Sequence, residues 1–239
     1  MAKGFIFAKN YKKWYNKIGE NMSLEILYED NHLIVAIKPA GILSQEDQTK
    51  DADMLTLLKY YIKDKYNKPG NVYLGLVHRL DRMTGGVMVF AKTSKAARRL
   101  NEQIVKKDFS KKYYAIVDGI IEKGDILKNY LIKDEKEVKS YIGNSKNGKL
   151  AILEYSVIKI LNNKTLLDIN LITGRHHQIR VQFSHRQHPL VGDVLYGGSH
   201  YNQLMLYAYE ISFYHPITNN RLIFNKIPTS ESVSYTHLR

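Results

Sequence analysis

The sequence predicts an α+β domain built on a largely antiparallel sheet. Three observations point there. Runs rich in Val, Ile, Tyr and Phe outnumber helical stretches along the chain. Only two long segments place apolar residues at helical spacing, Met54–Tyr66 and Ala96–Lys107. No self-similarity recurs at a solenoid period. With 239 residues and 44% hydrophobic content, a single domain can close a full core.

The elements follow in order. Leu24–Tyr28 and His32–Ile37 read as a strand pair joined by Glu29-Asp30-Asn31. Met54–Tyr66 aligns Leu55, Leu58 and Ile62 on one helical face, with Asp51 or Asp53 as its cap. Val72–Val77 and Val87–Ala91 are apolar strand-type runs on either side of the charged segment His78–Gly86. Ala96–Lys107 carries an apolar stripe at Ala97, Leu100 and Ile104 and a basic opposite face. Strands follow at Tyr113–Val117, Leu150–Ile160 and Thr165–Ile172. In the first of these, alternation puts Tyr113, Ala115 and Val117 on one face, Tyr114 and Ile116 on the other. After the Thr173-Gly174 turn a short helix is expected at His176–His185, buried on the sheet through Ile179 and Phe183. Leu206–Phe213 and Leu222–Phe224 close the domain, which spans 23–228. Residues 1–22 form a basic arm that either contacts RNA or precedes a true start at Met22, since Gly19-Glu20 can be encoded by a ribosome-binding-site-like stretch. Residues 229–239 read as a polar, disordered tail.

Charge narrows the partner. Thirty-six Lys+Arg against 23 Asp+Glu give a net +13 and an isoelectric point near 9.6. So basic a domain attracts nucleic acid or an anionic membrane. No apolar run is long enough to span a bilayer and no signal peptide is visible, which favours nucleic acid. The chain has no cysteine, which excludes disulfides and thiolate metal sites and fits a reducing cytoplasm. Eighteen tyrosines offer faces for stacking unpaired bases, although strands use most of them as half-buried residues.

The most informative segment is His78–Gly86, H-R-L-D-R-M-T-G-G. A charged, Gly-ended loop between two strands is a common place for catalytic groups. Asp81 is its one carboxylate, flanked by Arg79 and Arg82. Neighbouring cations favour the charged form of a carboxylate, which suits a nucleophile or base acting on a polyanion. The other reading is a polar loop whose Asp satisfies nearby backbone N–H groups, and spacing alone favours that one.

Further segments stand beside it in a fixed order. This loop resembles the H-R-L-D-x-x-T-S-G motif of the RluA-type pseudouridine synthases. Ile26–Gly41 resembles that family's opening strand pair and K-P-x-G turn, and Lys111–Gly119 its K-x-Y-x-A-x-V-x-G strand. Thr173–Arg180, T-G-R-H-H-Q-I-R, resembles T-G-R-T-H-Q-I-R, and His188–Gly197 resembles H-P-I-x-G-D-x-x-Y-G. Leu206–Pro216 resembles the closing L-H-A-x-x-L-x-F-x-H-P strand. Ordered motifs from about Leu24 to Ile227 are far more specific than one short match.

The resemblance implies the pseudouridine synthase fold, a central mixed sheet with a cleft across its middle, and isomerisation of uridines in ribosomal or transfer RNA. It implies Asp81 as the catalytic residue and Tyr113 stacked on the flipped uracil, with its hydroxyl near the C5 proton. Arg180 would pair with Asp81 through a two-point fork. Arg175 would contact phosphate, and Arg79 and Arg82 would supply positive charge for the backbone. His78, Thr84, His177 and Gln178 would complete the substrate contacts. No cofactor or metal is implied, and the chain is expected to act as a cytoplasmic monomer, its basic arm too short to be the S4 domain with which many relatives begin. Gly85 stands where the family usually has Ser, His176 for Thr, Gln182 for His and Tyr207 for His. Those departures touch substrate choice more than reaction type.

Two other functions remain open at this level. His176, His177, His185, His188 and Asp193 fall in one stretch, which suggests a metal hydrolase, but no three ligands have a recognised spacing. A catalytically inactive RNA-binding protein on the same fold is the second. Retention of Asp81, Tyr113 and Arg180 together argues against it.

Overall fold

The computed structural model describes residues 24–228; the expectations for the basic arm and the tail lie outside the described residues. One mixed sheet of 11 strands organises them. The elements are β1 (Ile26–Glu29), β2 (Leu33–Lys38), α1 (Met54–Lys65), β3 (Gly75–Leu76), β4 (Gly85–Ala91), α2 (Ser94–Lys106) and β5 (Ser110–Asp118). They continue with β6 (Asp125–Asp134), β7 (Lys139–Gly143), β8 (Lys149–Leu161), β9 (Lys164–Leu171), α3 (Gln178–Ser184), a 3-10 turn (Val194–Tyr196), β10 (Leu206–Tyr214) and β11 (Arg221–Asn225). The main path runs β1-β2-β4-β10-β5-β9-β8-β6-β7, with β11 on β10 and β3 on β4. Every pairing is antiparallel except β4 with β10. The α+β expectation is met.

The parallel seam depends on a glycine. Gly86 pairs with Ala208 and sits at φ +136. A Cβ there would collide with the Ala208 backbone carbonyl, so only glycine allows β4 and β10 to meet.

Both faces of the sheet are covered, and the helices divide between them. Met54, Leu58 and Ile62 of α1 pack with Ile34, Ala36, Met88 and Phe90. That cluster also holds Tyr113, Ala115 and Val117 of β5, Ile179 and Phe183 of α3, and Leu80 of the charged loop. Ala96 and Leu100 of α2 pack on the opposite face against Leu33, Val35, Val87 and Val89. Each fully buried Leu or Ile contributes about 1.5–3 kcal/mol, so the first cluster fixes the loop, β5 and α3 to one rigid body. Asp53 caps α1, accepting the Thr56 N–H at 2.9 Å, and Thr93 caps α2, accepting that of Ala96 at 3.1 Å.

Four elements differ from the sequence expectation. The β6–β7 hairpin was not foreseen, because its lysines and aspartates mask the pattern: β6 buries only Leu127 and Leu131, and β7 only Ser140. The Val72–Val77 run yields only the two-residue β3, which pairs with the end of β4. Helix α3 starts at Gln178 rather than His176, because His177 adopts the left-handed conformation at φ 51 and cannot belong to the helix.

Candidate active site

The charged loop is held before any substrate arrives. Leu80 is buried, and its backbone is clasped by Ser44, whose Oγ accepts the Leu80 N–H at 3.1 Å and donates to its carbonyl at 2.8 Å. The Lys38 ammonium, fully buried, donates to the Pro39 and Arg82 carbonyls at 2.9 and 3.0 Å. The Gly41 N–H also donates to the Arg82 carbonyl, at 2.8 Å, and Arg82 Nε returns a bond to the Gly41 carbonyl at 3.1 Å. Thr84 N–H closes the turn on the Asp81 carbonyl at 3.0 Å. Burial pushes the Lys38 ammonium down to about 7, with Asp81 raising it and Arg82 lowering it again.

This stitching leaves the Asp81 side chain partly open, at 29% exposure. Its Oδ2 lies 3.7 Å from Arg180 Nη1 and 3.7 Å from His177 Nε2. Arg180 projects from α3, and Asp193 locks it in place: Nε and Nη2 donate to the two carboxylate oxygens at 2.7 Å each. The Tyr196 ring stacks under the same guanidinium at 4.9 Å. Burial opposes the Arg180 charge, but the Asp193 bonds and the Asp81 field outweigh it and raise its pKa.

Tyr113 completes the group from β5. It is buried. Burial first, then the Asp81 charge, push its hydroxyl well above the ordinary phenol range, so it is neutral near pH 7. Burial and the Arg180 charge push His177 down to about 3, so its imidazole is neutral too. The site therefore combines a half-open carboxylate, a fixed cation, a neutral phenol and a neutral imidazole against apolar walls. A carboxylate so placed can attack an electrophilic carbon or take a proton from it. Exposed Arg79 and Arg175 stand at the rim. Among the described residues no group of three or more His, Asp or Glu is arranged to hold a metal ion.

Comparison with known proteins adds the decisive observation. Residues 32–185 match the family described as RNA pseudouridylate synthase. The chain belongs to this family. It is 37% identical over 205 residues to the ribosomal large subunit pseudouridine synthase C of Buchnera aphidicola, covering 80% of this chain and 62% of that protein. It is 37% identical over 182 residues to the ribosomal large subunit pseudouridine synthase D of Pseudomonas aeruginosa, covering 76% and 56%. The chain thus spans less than two thirds of either relative's length. The solved structure of human RNA pseudouridylate synthase domain containing 4 shares the fold, with a TM-score of 0.74 at 23% identity, covering 89% of this chain and 92% of that one.

Against the pseudouridylate synthase pattern, the expected site residues divide. Asp81, Tyr113, Arg180 and His177 come together. Arg180 gives its two-point fork to Asp193 rather than to Asp81, because Asp193 is buried beside it and needs a counter-charge. The buried His78 ring accepts the Val89 N–H at 3.2 Å and packs on Phe109, and burial pushes it down to about 3. Thr84 is also buried. Gln178 turns inward, where its Oε1 accepts from Thr173 Oγ1 at 2.8 Å and from the Arg175 N–H at 3.0 Å. All three of these expected contacts are buried, and His78 Nδ1, Thr84 Oγ1 and Gln178 Nε2 have no hydrogen-bond partner among the described residues. Arg82 is tied to Asp51 at 2.8 Å, while Arg79 has no ion pair among the described residues. Arg175 is exposed, with Nε bonded to the Leu150 carbonyl at 2.9 Å.

Sequence reasoning missed Asp193, Tyr196, Lys38 and Ser44 as parts of the site. The first three lie inside segments that carry the family resemblance, and Asp193 was weighed only as a metal ligand. A buried Asp in a Gly-Asp turn, on a chain with a buried helical Arg, was the available signal. Ser44 left none.

Proposed function

We propose that the chain isomerises selected uridines of large-subunit ribosomal RNA to pseudouridine, with Asp81 as the catalytic carboxylate. The observation that carries this is the Asp81 side chain, held by a braced loop, faced by Arg180 at 3.7 Å and sharing its surroundings with Tyr113. The reaction breaks the N1–C1′ bond, turns the uracil and rejoins it through C5; the proton leaves C5 and N1 ends protonated. Asp81 serves either by adding covalently, to C6 of the uracil or C1′ of the ribose, or by taking the 2′ proton on the way to a glycal. Either route needs the base taken out of its stack and seated against the carboxylate.

Arg180 holds positive charge beside Asp81 without moving, because Asp193 fixes it. Tyr113 offers a ring for the flipped uracil to stack on and a neutral hydroxyl toward its C5 edge. Arg79 and Arg175 neutralise RNA phosphates around the entrance. The relatives named for the large ribosomal subunit support ribosomal RNA as the substrate, and a cytoplasmic setting follows from that substrate. Action as a monomer is part of the same proposal. The test is tritium release from unmodified large-subunit RNA labelled at C5 of uridine. Release with one isomer formed per tritium is expected. Absence of release from whole unmodified RNA would reject the proposal in favour of a binding protein.

A further inference from the structure

Behind Asp81 lies a polar chain that no substrate contact requires. The Tyr196 hydroxyl accepts the backbone N–H of Ser140 at 2.8 Å and lies 2.9 Å from His177 Nδ1. His177 Nε2, on the far side of that ring, faces Asp81 Oδ2 at 3.7 Å. The His176 ring stacks on His177 with centroids 3.8 Å apart and is itself held by Ser140 Oγ at 2.9 Å from Nδ1. Ser140 is buried on β7 and so touches both members of this histidine pair's support.

We infer that His177 is a positioning residue for Asp81, presenting an Nε2–H toward its carboxylate in a tautomer fixed by the Tyr196 hydroxyl. It rests on the isomerase proposal above. The assignment sends the Tyr196 proton to the one ring nitrogen within hydrogen-bond reach of its hydroxyl. Ser140 N–H occupies one lone pair of the Tyr196 oxygen. The single acceptor for the Tyr196 proton among the described residues is His177 Nδ1. A neutral imidazole with Nδ1 accepting carries its one proton on Nε2. Burial first, then Arg180, His176 and Lys133 against the opposing Asp193, leave the ring neutral at physiological pH, with Asp81 Oδ2 facing it at 3.7 Å.

The arrangement has a chemical use. Arg180 fixes charge near Asp81 but is itself bound to Asp193. The His177 N–H supplies direction: it favours one rotation of the carboxylate and leaves the other oxygen for the uridine. At 3.7 Å it faces the carboxylate without bonding it, and catalytic hydrogen bonds commonly tighten only once substrate is bound. His177 holds the αL position just before α3, with its Nε2 facing the loop. The β6–β7 hairpin thereby becomes part of the catalytic framework, since Ser140 sets both Tyr196 and His176.

The experiment has two readouts. Imidazole ¹⁵N NMR on the full chain reads the tautomer without RNA; the Nε2–H form is expected for His177, and a dominant Nδ1–H form would overturn the inference. Tyr196→Phe keeps the ring under Arg180 and removes only the hydroxyl. Its single-turnover rate at saturating RNA should fall about 10- to 100-fold, the range for one oriented hydrogen bond to a charged group, with RNA affinity within about twofold. His177→Gln, which keeps an N–H donor, should retain more of that rate than His177→Ala. Wild-type rate in Tyr196→Phe, or equal rates in the two His177 variants, would also overturn it. A wild type that releases no tritium would reject the isomerase proposal, while the NMR spectrum would still decide the tautomer.

Discussion

Arg180 and Asp193 form a closed two-point ion pair, at 2.7 Å on each arm, that leaves one guanidinium nitrogen facing Asp81. The pair separates two duties. Asp193, almost wholly buried, balances the cation and orients it. Asp81, more exposed, is influenced by the cation without being clamped by it. A carboxylate engaged by both arms of an Arg fork would have to break that fork before reacting.

Asp193→Asn should therefore be damaging although it touches no substrate. It leaves a buried guanidinium short of its counter-charge, and breaking one side of such a pair costs about 3–5 kcal/mol. Urea unfolding should show that loss, and the saturated single-turnover rate should fall because Asp81 is drawn into the vacated partnership. An unchanged urea midpoint would contradict this role.

The two arginines of T-G-R-H-H-Q-I-R should separate cleanly. Arg175→Ala should weaken RNA binding and reduce the salt slope by about one counterion, with the saturated rate intact. Arg180→Ala should lose rate, and Arg180→Lys should rescue it poorly, because an ammonium cannot reproduce the planar fork on Asp193. Rate and affinity against RNA concentration, at several salt concentrations, give both quantities. Loss of rate in Arg175→Ala with only affinity lost in Arg180→Ala would reverse the assignment.

What the sequence disclosed follows its patterning. Strands with one apolar face, such as Tyr113–Val117, and helices with a clear stripe, such as Ala96–Lys107, were legible because burial imposes periodicity. The β6–β7 hairpin was not, because an edge hairpin that buries so few positions leaves little pattern. At the site, chemistry-bearing residues were legible by type and motif, whereas their partners were not. Nothing in spacing distinguishes Arg180 bound to Asp193 from Arg180 bound to Asp81. Burial was not legible either: His78, Thr84 and Gln178, read from the motif as contacts, all lie inside the fold.

Lys38 gives a pH signature. Its ammonium, ordinarily near 10.5, is pushed to about 7 by burial. A folded-state value below the unfolded one means the unfolded chain holds the proton more tightly across that window. Below about 7 both states are protonated and the burial penalty is at its full, constant size. Stability should then rise with pH between about 7 and about 10 relative to Lys38→Met, which has no such proton. Urea unfolding of both proteins at pH 6, 7.5 and 9 measures the difference. A pH-independent difference would show that Lys38 does not titrate in this range.

Gly86→Ala tests the parallel seam. The substitution forces an L side chain into φ +136 and into the Ala208 carbonyl. Backbone strain alone costs about 1–3 kcal/mol, and the collision adds to it. Insoluble or markedly less stable protein is expected, read by thermal melting, whereas wild-type melting would mean that β4 and β10 can part without harm.

The central claim is that the Asp81 carboxylate performs the isomerisation. Asp81→Asn is isosteric and removes only the charge, so the variant should fold, bind RNA with near wild-type affinity and give no tritium release from C5-labelled uridine. A rate above about a hundredth of wild type, the size of a modest acid–base contribution, would contradict it.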